Sequence, residues 1–319
     1  MNKSPRLVAL ETLYSIFYDG SYSNIALDKA LSDIKENKAF ISALVYGVTE
    51  RKITLDYFID KYAQGRIKPK VRIVLWLGAY QLLFMDKVPS SASINESVKL
   101  VKEIKQDYYS KLVNAVLHKI DNDRQIPDDL SVKYSVPENL INMWKKQYGE
   151  DVLNEFLPCI NDKPPLFAIP NKKFVNSDEL LYELECDGIL GEAYDEFVLI
   201  ENANDLTDSK AFKNGLFYIE DLSSFNCANA LDALGDDVVL DMCSAPGGKA
   251  FTISQHMNNS GKIYCYDLHE HRLNLIKNGA KRLSIDNIYT DVNDATVYNE
   301  NIPKADKILC DVPCSGFGI

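Results

Sequence analysis

The stretch DVVLDMCSAPGGKAF (residues 237–251) joins an apolar run to a loop of small residues and then to a helical pattern. Val238, Val239 and Leu240 are typical of a buried strand, and the acidic Asp241 follows them directly. The proline and two glycines that come next are typical of a turn whose backbone lies open to a ligand. We therefore predict a strand, a ligand-facing loop and a helix, in that order.

The same alternation continues towards the end of the sequence. Apolar strand patterns recur in GKIYCYDL (261–268), DNIYTDVNDA (286–295) and ADKILCDVPC (305–314), and helical patterns separate the first three strands. This spacing predicts a parallel sheet with crossover helices. The acidic residues that close the four strands are Asp241, Asp267, Asp294 and Asp311. Ligands of such sheets bind beyond the carboxyl ends of the strands, so we expect a binding site there, although aspartates at these positions can also cap helices.

The glycine loop does not match two common phosphate-binding patterns. Lys249 is followed by Ala250, where a Walker loop has Ser or Thr, and the first Walker glycine is absent. The G-x-G-x-x-G pattern of dinucleotide sites is absent as well. Small residues still let a ligand lie against the backbone, and Asp267 suits the hydroxyls of a ribose. A nucleoside without phosphates fits this description, and the expected cofactor is S-adenosylmethionine.

The composition is that of a globular protein, with 46% hydrophobic and 25% charged residues. Seven scattered cysteines favour a reducing compartment, and the N-terminus lacks a signal-peptide pattern. The longest apolar run (71–85) is shorter than a membrane span and contains Arg72 and Gln81. Histidines and cysteines share no ligand spacing. We expect a cytoplasmic monomer without a membrane segment or a metal site.

The net charge of −11 hides an asymmetry along the chain. Residues 1–125 carry 19 Lys and Arg against 14 Asp and Glu, whereas the remainder carries 16 against 32. Attraction to phosphate depends on local surface charge, so a nucleic-acid partner is compatible with the acidic total. The densest basic segment, GRIKPKVR (65–72), is interpreted either as an RNA contact or as a solvated loop before a helix.

Three regions follow from these patterns. Residues 1–125 show helical spacing throughout, and the polar segment DNDRQIPDD (121–129) indicates a boundary. Residues 126–212 combine one helical region at 137–157, an extended segment, PPLFAIPN (164–171), and a helix capped by Ser177, which predicts a small α+β domain. Residues 213–319 hold the strand–helix alternation and form an α/β domain.

Cys314 lies where its thiol could take part in chemistry. DVPCSGFG (311–318) sets Cys314 in a proline-containing loop after the fourth strand, where a thiolate can face the ligand. A lone cysteine can equally be a small buried hydrophobe, and we expect that role for Cys265 and Cys310. For Cys243 we expect burial or packing within the loop.

Three motifs together resemble a known family. DMCSAPGGKA (241–250) and DVPCSGFG resemble the cofactor loop and the Asp-x-Pro-Cys-Ser-x-x-Gly motif of RNA cytosine-5 methyltransferases of the RsmB type, which modify small-subunit ribosomal RNA. NGLFYIEDLSS (214–224) resembles the segment before their first strand, with Glu220 where the family has glutamine. VPSSASINESVKLVK (88–102) and KLVNAVLHKI (111–120) resemble the NusB fold. The resemblance covers the chain and implies a NusB-like all-α RNA-binding domain, an α+β linker domain and an incomplete Rossmann-like methyltransferase domain.

The resemblance also implies roles for individual residues. Asp267 would hold the ribose, Asp294 would lie by the adenine with Asp291 as the alternative, and Asp311 would lie between the cofactor and the target base. The residues that would line the methionine part of the cofactor are Cys243, Ser244, Ala245, Pro246, Gly247, Gly248 and Lys249.

The chemistry implied is methylation of cytosine C5 in 16S ribosomal RNA after a thiolate adds to C6. In the family a Thr-Cys pair supplies that thiolate, and the cysteine matching Cys314 assists product release. The sequence holds no Thr-Cys pair. We therefore expect a C-terminally truncated chain without turnover. Two alternatives are a non-catalytic RNA-binding module with a retained cofactor loop, and an enzyme in which Cys314 is the sole nucleophile.

Overall fold

The computed structural model describes residues 3–32, 34–162, 164–202 and 206–312. The chain forms two compact units, residues 1–162 and 163–319. The predicted domain limits at residues 125 and 212 lie inside these units, so the division into three domains stays a prediction.

The described part of the first unit is built from helices, as predicted. Ser4 caps the first helix by accepting a hydrogen bond from the Leu7 N–H, and Pro5 occupies the first helical position. Trp76 and its neighbours on the fifth helix are buried on nearly all sides, which places that helix at the centre of the core. The helices are α1 (Pro5–Tyr18), α2 (Ser23–Leu31), α3 (Lys38–Glu50), α4 (Lys52–Tyr62), α5 (Pro69–Phe84), α6 (Ser90–Glu103), α7 (Ser110–Asn122), α8 (Leu130–Tyr134), α9 (Glu138–Tyr148) and α10 (Glu150–Cys159).

The basic segment 65–72 divides into two kinds of residue. Arg72 donates to Asp56 at 2.6 Å and to Asp60 at 2.8 Å, so its charge is neutralised inside the first unit. Lys68 and Lys70 lie over aromatic rings and keep their ammonium groups at the surface. Only these lysines and the exposed Arg66, within this segment, suit an RNA contact.

The second unit begins with an antiparallel sheet in the order β2-β3-β1-β4, which confirms extended structure in PPLFAIPN. The helix after β1 is capped by Asn176, and not by Ser177 as the sequence suggested, because Asn176 and Glu179 form a reciprocal capping box. The elements are β1 (Leu166–Pro170), α11 (Ser177–Cys186), β2 (Gly191–Tyr194), β3 (Phe197–Ile200), α12 (Lys210–Lys213), β4 (Phe217–Ile219) and α13 (Leu222–Ala230).

The second sheet is parallel and has the order β7-β6-β5-β8. This confirms the predicted α/β architecture, with crossover helices between its first three strands. Apolar residues of both sheets, such as Phe167 and Val239, contribute to one core of the second unit. The elements are β5 (Val238–Asp241), α14 (Gly248–His256), β6 (Lys262–Asp267), α15 (Glu270–Leu283), β7 (Ile288–Val292) and β8 (Lys307–Leu309).

Candidate functional site

The carboxyl ends of all four parallel strands meet at one edge of the second sheet. Asp241 and Asp267 are the last residues of β5 and β6, and Asp294 and Asp311 follow β7 and β8 by two residues. The strand order places them along this edge as Asp294, Asp267, Asp241 and Asp311. The edge is therefore strongly acidic.

The loop Cys243–Lys249 is fixed to this edge by its backbone. The Ser244 N–H donates to the carbonyl of Tyr266 at 2.9 Å, and Arg272 Nη2 donates to the carbonyl of Ala245 at 2.9 Å. The Ala245–Pro246 peptide bond is cis. The loop thus has a defined path from the end of β5 to the start of α14.

Two glycines at the end of the loop have no room for a side chain. Gly247 has φ +113°, and an added Cβ would lie 2.9 Å from the ring of Phe251. A Cβ on Gly248 would lie 2.9 Å from Oε1 of Glu220. Both positions therefore require glycine where the loop enters α14, because the side chains of Phe251 and Glu220 pack directly against the backbone there.

Asp241 is the most deeply buried acid of the edge, with 1% of its surface exposed. Neither carboxylate oxygen accepts a hydrogen bond of standard geometry within the described residues, although the Ser244 hydroxyl and the Cys243 N–H lie close enough to favour the ionised carboxylate. Burial raises the pKa of this carboxyl to about 6. A buried acid whose hydrogen bonds are incomplete is costly, so its oxygens can still accept from a ligand that brings a donor or a positive charge.

Lys249 supplies positive charge next to these acids. Its Nζ lies 2.7 Å from Oδ2 of Asp311 and donates to Oγ of Ser224 at 3.1 Å. Burial opposes the charge on the ammonium group, but the hydrogen bond to Asp311 and the nearby carboxylates outweigh burial and raise its pKa. Lys249 is therefore a permanent cation that joins the loop to the end of β8.

Glu220 was not predicted as a site residue, yet its side chain lies against the first turn of α14. Its Oε2 accepts from Thr252 Oγ1 at 2.5 Å, and Thr252 Oγ1 lies 2.7 Å from the hydroxyl of Tyr218. Oε1 has no partner within the described residues. Burial raises the pKa of Glu220 to about 7, against the opposing effects of the Thr252 hydrogen bond and Lys249.

Asp267 is held in a fixed orientation at the end of β6. Its Oδ1 accepts from the N–H of His269 at 3.1 Å, and Arg272 Nη1 lies 3.2 Å from Oδ2. A carboxylate has about four acceptor sites, so these contacts leave capacity for a ligand hydroxyl.

A cleft of about 570 Å³ lies beyond β6 and β7. Its wall includes the exposed apolar side chains of Leu268, Val292 and Val297. Asp294 also lines the cleft, but its Oδ1 accepts from the N–H and hydroxyl of Thr296, which lowers its pKa. Asn293, which precedes Asp294, is buried, and its side-chain amide nitrogen has no hydrogen-bond partner within the described residues.

The cysteines fall into different environments. Cys265 is buried as predicted, whereas Cys310 is exposed, because β8 is at the edge of the sheet described here. Cys243 is half-buried, and burial together with Asp241 and Asp267 raises the pKa of its thiol, which disfavours a thiolate. Cys314 lies outside the described residues.

Sequence reasoning missed Glu220, Arg272 and Asn293. Glu220 was noted only as a departure from the family glutamine, and its acidic character was the available signal. Arg272 and Asn293 lie on ordinary helical and strand-end patterns, so the sequence carried no signal for them. In the described ranges no three His, Cys, Asp or Glu side chains group as a metal site requires, and none of the helices has the length and apolarity to cross a bilayer.

Comparison with known proteins agrees with this arrangement. A model of the NusB family matches residues 3–122, and a model described as 16S rRNA methyltransferase RsmB/F matches residues 228–319. The probable ribosomal RNA small subunit methyltransferase B of Bacillus subtilis is 32% identical across 99% of this chain and 74% of its own length. The ribosomal RNA small subunit methyltransferase B of Shewanella oneidensis is 27% identical across 98% of this chain and 75% of its own length.

Among solved structures, the crystal structure of PH0851 has a TM-score of 0.73 and 24% identity over 98% of this chain and 75% of its own, which shows a shared fold. The sequence relatives and the family models confirm the resemblance noted in the motifs, and they confirm S-adenosylmethionine as the methyl donor. The chain belongs to the RsmB/F family of 16S rRNA methyltransferases.

Proposed function

We propose that this protein transfers a methyl group from S-adenosylmethionine to C5 of a cytosine in small-subunit ribosomal RNA, in the cytoplasm and as a monomer without a metal ion. The observation that carries this proposal is the buried Asp241 beneath the loop Cys243–Lys249, whose carboxylate oxygens accept no hydrogen bond of standard geometry within the described residues. The relatives are ribosomal RNA methyltransferases by name, which supports the substrate class.

The residues fit the cofactor in three places. The oxygens of Asp241 could accept from the ammonium of the methionine part, which the loop Cys243–Lys249 would hold. Asp267 keeps acceptor capacity for the ribose hydroxyls. The apolar cleft by Asp294 suits the adenine, and its exposed Asp294 is a better candidate than Asp291, which lies on β7 itself.

The cofactor, when bound, supplies an electrophilic methyl group. The chain must make cytosine C5 nucleophilic, which requires a thiolate that forms a bond to C6. C5 then takes the methyl group, the C5 proton leaves to a base, and the C6–sulfur bond breaks. Asp311, held by Lys249 at 2.7 Å, is placed at the end of β8, on the side of the sheet next to the cofactor loop. We assign Cys314 to product release.

The target base must leave its stack to reach such a pocket, so single-stranded or bulged RNA is the expected substrate. The excess of basic residues in 1–125 supports RNA binding by that region.

These 319 residues contain no Thr-Cys pair. We therefore propose that these 319 residues by themselves bind the cofactor and RNA, as an RNA-binding module would, and that the transfer proposed above requires the thiolate of such a pair.

The test is transfer of labelled methyl from S-adenosylmethionine to unmodified small-subunit ribosomal RNA, with Cys314→Ala and Asp241→Asn as variants. We expect cofactor binding, weakened at least about tenfold by Asp241→Asn because a charged hydrogen-bond acceptor is lost, and no transfer. Transfer that Cys314→Ala abolishes would make Cys314 the nucleophile and contradict its assignment to release. Absence of cofactor binding would refute the proposed site itself.

A further inference from the structure

We propose that Glu220 is a specificity-determining residue of the cofactor site, which favours the sulfonium-bearing methyl donor over the S-adenosylhomocysteine that remains after transfer. The inference rests on the cofactor position proposed above for the loop Cys243–Lys249.

The position of Glu220 is the first argument. Only 7% of the residue is exposed, and Oε1 lies so close to Gly248 that an added Cβ would come within 2.9 Å of it. Gly248 is the first residue of α14, and its N-cap Gly247 provides no side-chain hydrogen bond. The carboxyl group thus lies against the uncapped start of the helix that carries the cofactor loop.

The hydrogen bonds of Glu220 are the second argument. The Thr252 hydroxyl donates a hydrogen bond to Oε2, and the Tyr218 hydroxyl can donate one to Thr252. Tyr218, Thr252 and Glu220 therefore form a buried series of hydrogen bonds that ends at the carboxyl group. Oε1 remains without a partner in the described residues. A group that served only to hold α14 in place would have both oxygens satisfied, so Oε1 is available to respond to charge in the loop.

The charge balance around the carboxyl is the third argument. Lys249 is the nearby cation, and it is already paired with Asp311. A positive charge that a ligand brings to the loop is therefore attracted by the carboxylates that Lys249 does not pair with, including that of Glu220. The titratable groups that face Glu220 are Tyr218 and Asp221 on its own segment, Asp241 at the end of β5 and Lys249 on α14, and Asp311 lies beyond Lys249 as its ion-pair partner.

The two ligands differ by one charge at the sulfur. The donor is a sulfonium, whereas the product has a neutral thioether and otherwise the same groups. Ionised Glu220 attracts that extra charge, so the donor binds more tightly when Glu220 has lost its proton, and the product gains little. By reciprocity, donor binding releases a proton from Glu220, and product binding does not.

The expected size follows from Coulomb attraction across the protein. Two unit charges about 8 Å apart, at an effective dielectric of about 30 to 60, attract enough to change the affinity by roughly three- to tenfold. We expect the ratio of product Kd to donor Kd to rise by this factor between pH 6 and pH 8. Burial raises the pKa of Glu220 to about 7, which places the change inside this window.

The experiment is calorimetric titration of the 319-residue chain with S-adenosylmethionine and with S-adenosylhomocysteine. Titrations at pH 6, 7 and 8 give the ratio of affinities, and two buffers of different ionisation enthalpy give the protons released. Because both ligands share their amino-acid and nucleoside groups, the ratio isolates the sulfonium charge.

Glu220→Gln is the decisive variant, because it keeps the shape and the hydrogen bond from Thr252 and removes the proton equilibrium. Glu185→Gln is the matched control, because it removes one carboxylate from the exposed surface of α11. The ratio should become nearly flat above pH 6.5 in Glu220→Gln and should keep its rise in Glu185→Gln. Any dependence that remains near pH 6 in Glu220→Gln belongs to Asp241.

A rise between pH 7 and pH 8 that persists in Glu220→Gln, or equal proton release from the unmodified chain with both ligands at pH 7, would overturn the inference. If neither ligand binds at any pH, the proposed cofactor site itself fails. If both bind and Glu220→Gln changes both affinities equally at every pH, Glu220 is structural only and the inference is wrong.

Discussion

At the scale of single residues, the second unit keeps buried acids that oppose its own stability. Burial raises the pKa of Glu220 from 4.5 to about 7. Between these values the folded chain holds a proton that the unfolded chain has lost. The stability that the neutral carboxyl contributes is therefore complete below pH 4.5 and decreases as the pH rises through 7.

Glu220→Gln removes this loss, because the amide never ionises. At pH 8, without cofactor, we expect the variant to unfold with a free energy higher than wild type by up to about 3 kcal/mol, and the difference should shrink towards pH 4.5. Urea unfolding at several pH values measures it. Glu185→Gln, on the exposed surface of α11, should differ little from wild type at any pH; a Glu220→Gln difference that does not grow with pH would contradict the assignment.

The glycine at position 247 gives a second prediction at this scale. Gly247→Ala places a Cβ in a left-handed conformation and 2.9 Å from the Phe251 ring, so it carries both backbone strain and a clash. We expect a loss of about 2–4 kcal/mol in stability and weaker cofactor binding. Thermal unfolding and cofactor titration measure the two effects.

Gly188→Ala is its matched control, because Gly188 is also left-handed, at φ +78°, but has open space where the Cβ would lie. It should lose only about 1 kcal/mol and keep cofactor affinity. Equal losses in the two variants would mean that contact with Phe251 contributes nothing.

At the scale of elements, Arg282 is one of the residues that connect α15 to the antiparallel sheet. The Arg282 guanidinium lies 3.7 Å from the centre of the Phe212 ring, and its Nη1 donates to the carbonyls of Phe212 and Phe217 at 2.8 Å each. These contacts satisfy one carbonyl on α12 and one at the start of β4, and β4 leads directly to Glu220. The Arg282 contacts therefore help to position Glu220 against the first turn of α14.

Arg282→Met should cost about 2–3 kcal/mol, because two carbonyls lose a charged donor in a half-buried place. Lys281→Met removes the same charge from the exposed face of α15 and should cost less than about 0.5 kcal/mol. Chemical unfolding of the two variants side by side checks this, and similar values for both would show that the Arg282 contacts contribute no stability.

Local sequence patterns predicted whether a segment forms a helix or a strand, but they did not predict where every element begins and ends. The strand–loop–helix around Asp241 and the parallel order were predicted because apolar runs and glycine turns are short-range signals. The segment 137–157 was predicted as one helical region, but Gly149 at φ +88° and ψ 169° separates α9 from α10. The backbone angles of one glycine depend on packing that its neighbours in sequence do not encode.

At the scale of the whole molecule, charge is distributed unevenly. The total is −11, yet residues 1–125 are basic, and within 65–72 only Arg72 is ion-paired among its basic residues in the described part of the chain. Lys68→Gln with Lys70→Gln should weaken ribosomal RNA binding and make the slope of log affinity against log salt less steep by roughly 1–2. Fluorescence anisotropy between 50 and 200 mM salt, roughly the range over which such contacts weaken, measures it.

Arg72→Gln should lower the stability of the first unit and, unlike the double lysine variant, leave RNA binding unchanged. Its charge is used by Asp56 and Asp60, so we expect a loss of stability of about 1–2 kcal/mol with the salt slope unchanged. A slope that falls as much as in the lysine variant would place Arg72 on the RNA instead.

The sequence by itself determined the all-α first region, the parallel sheet, the acidic strand ends and the cofactor loop, because each is encoded within about 15 residues by periodicity, glycine and charge. Only the tertiary structure decided that Glu220 lies on Gly248, that Asp241 accepts no hydrogen bond of standard geometry in the described chain and that Arg282 reaches Phe212. These contacts join residues far apart in sequence. Their burial and pairing arise when the sheets and helices pack, and no local pattern fixes them.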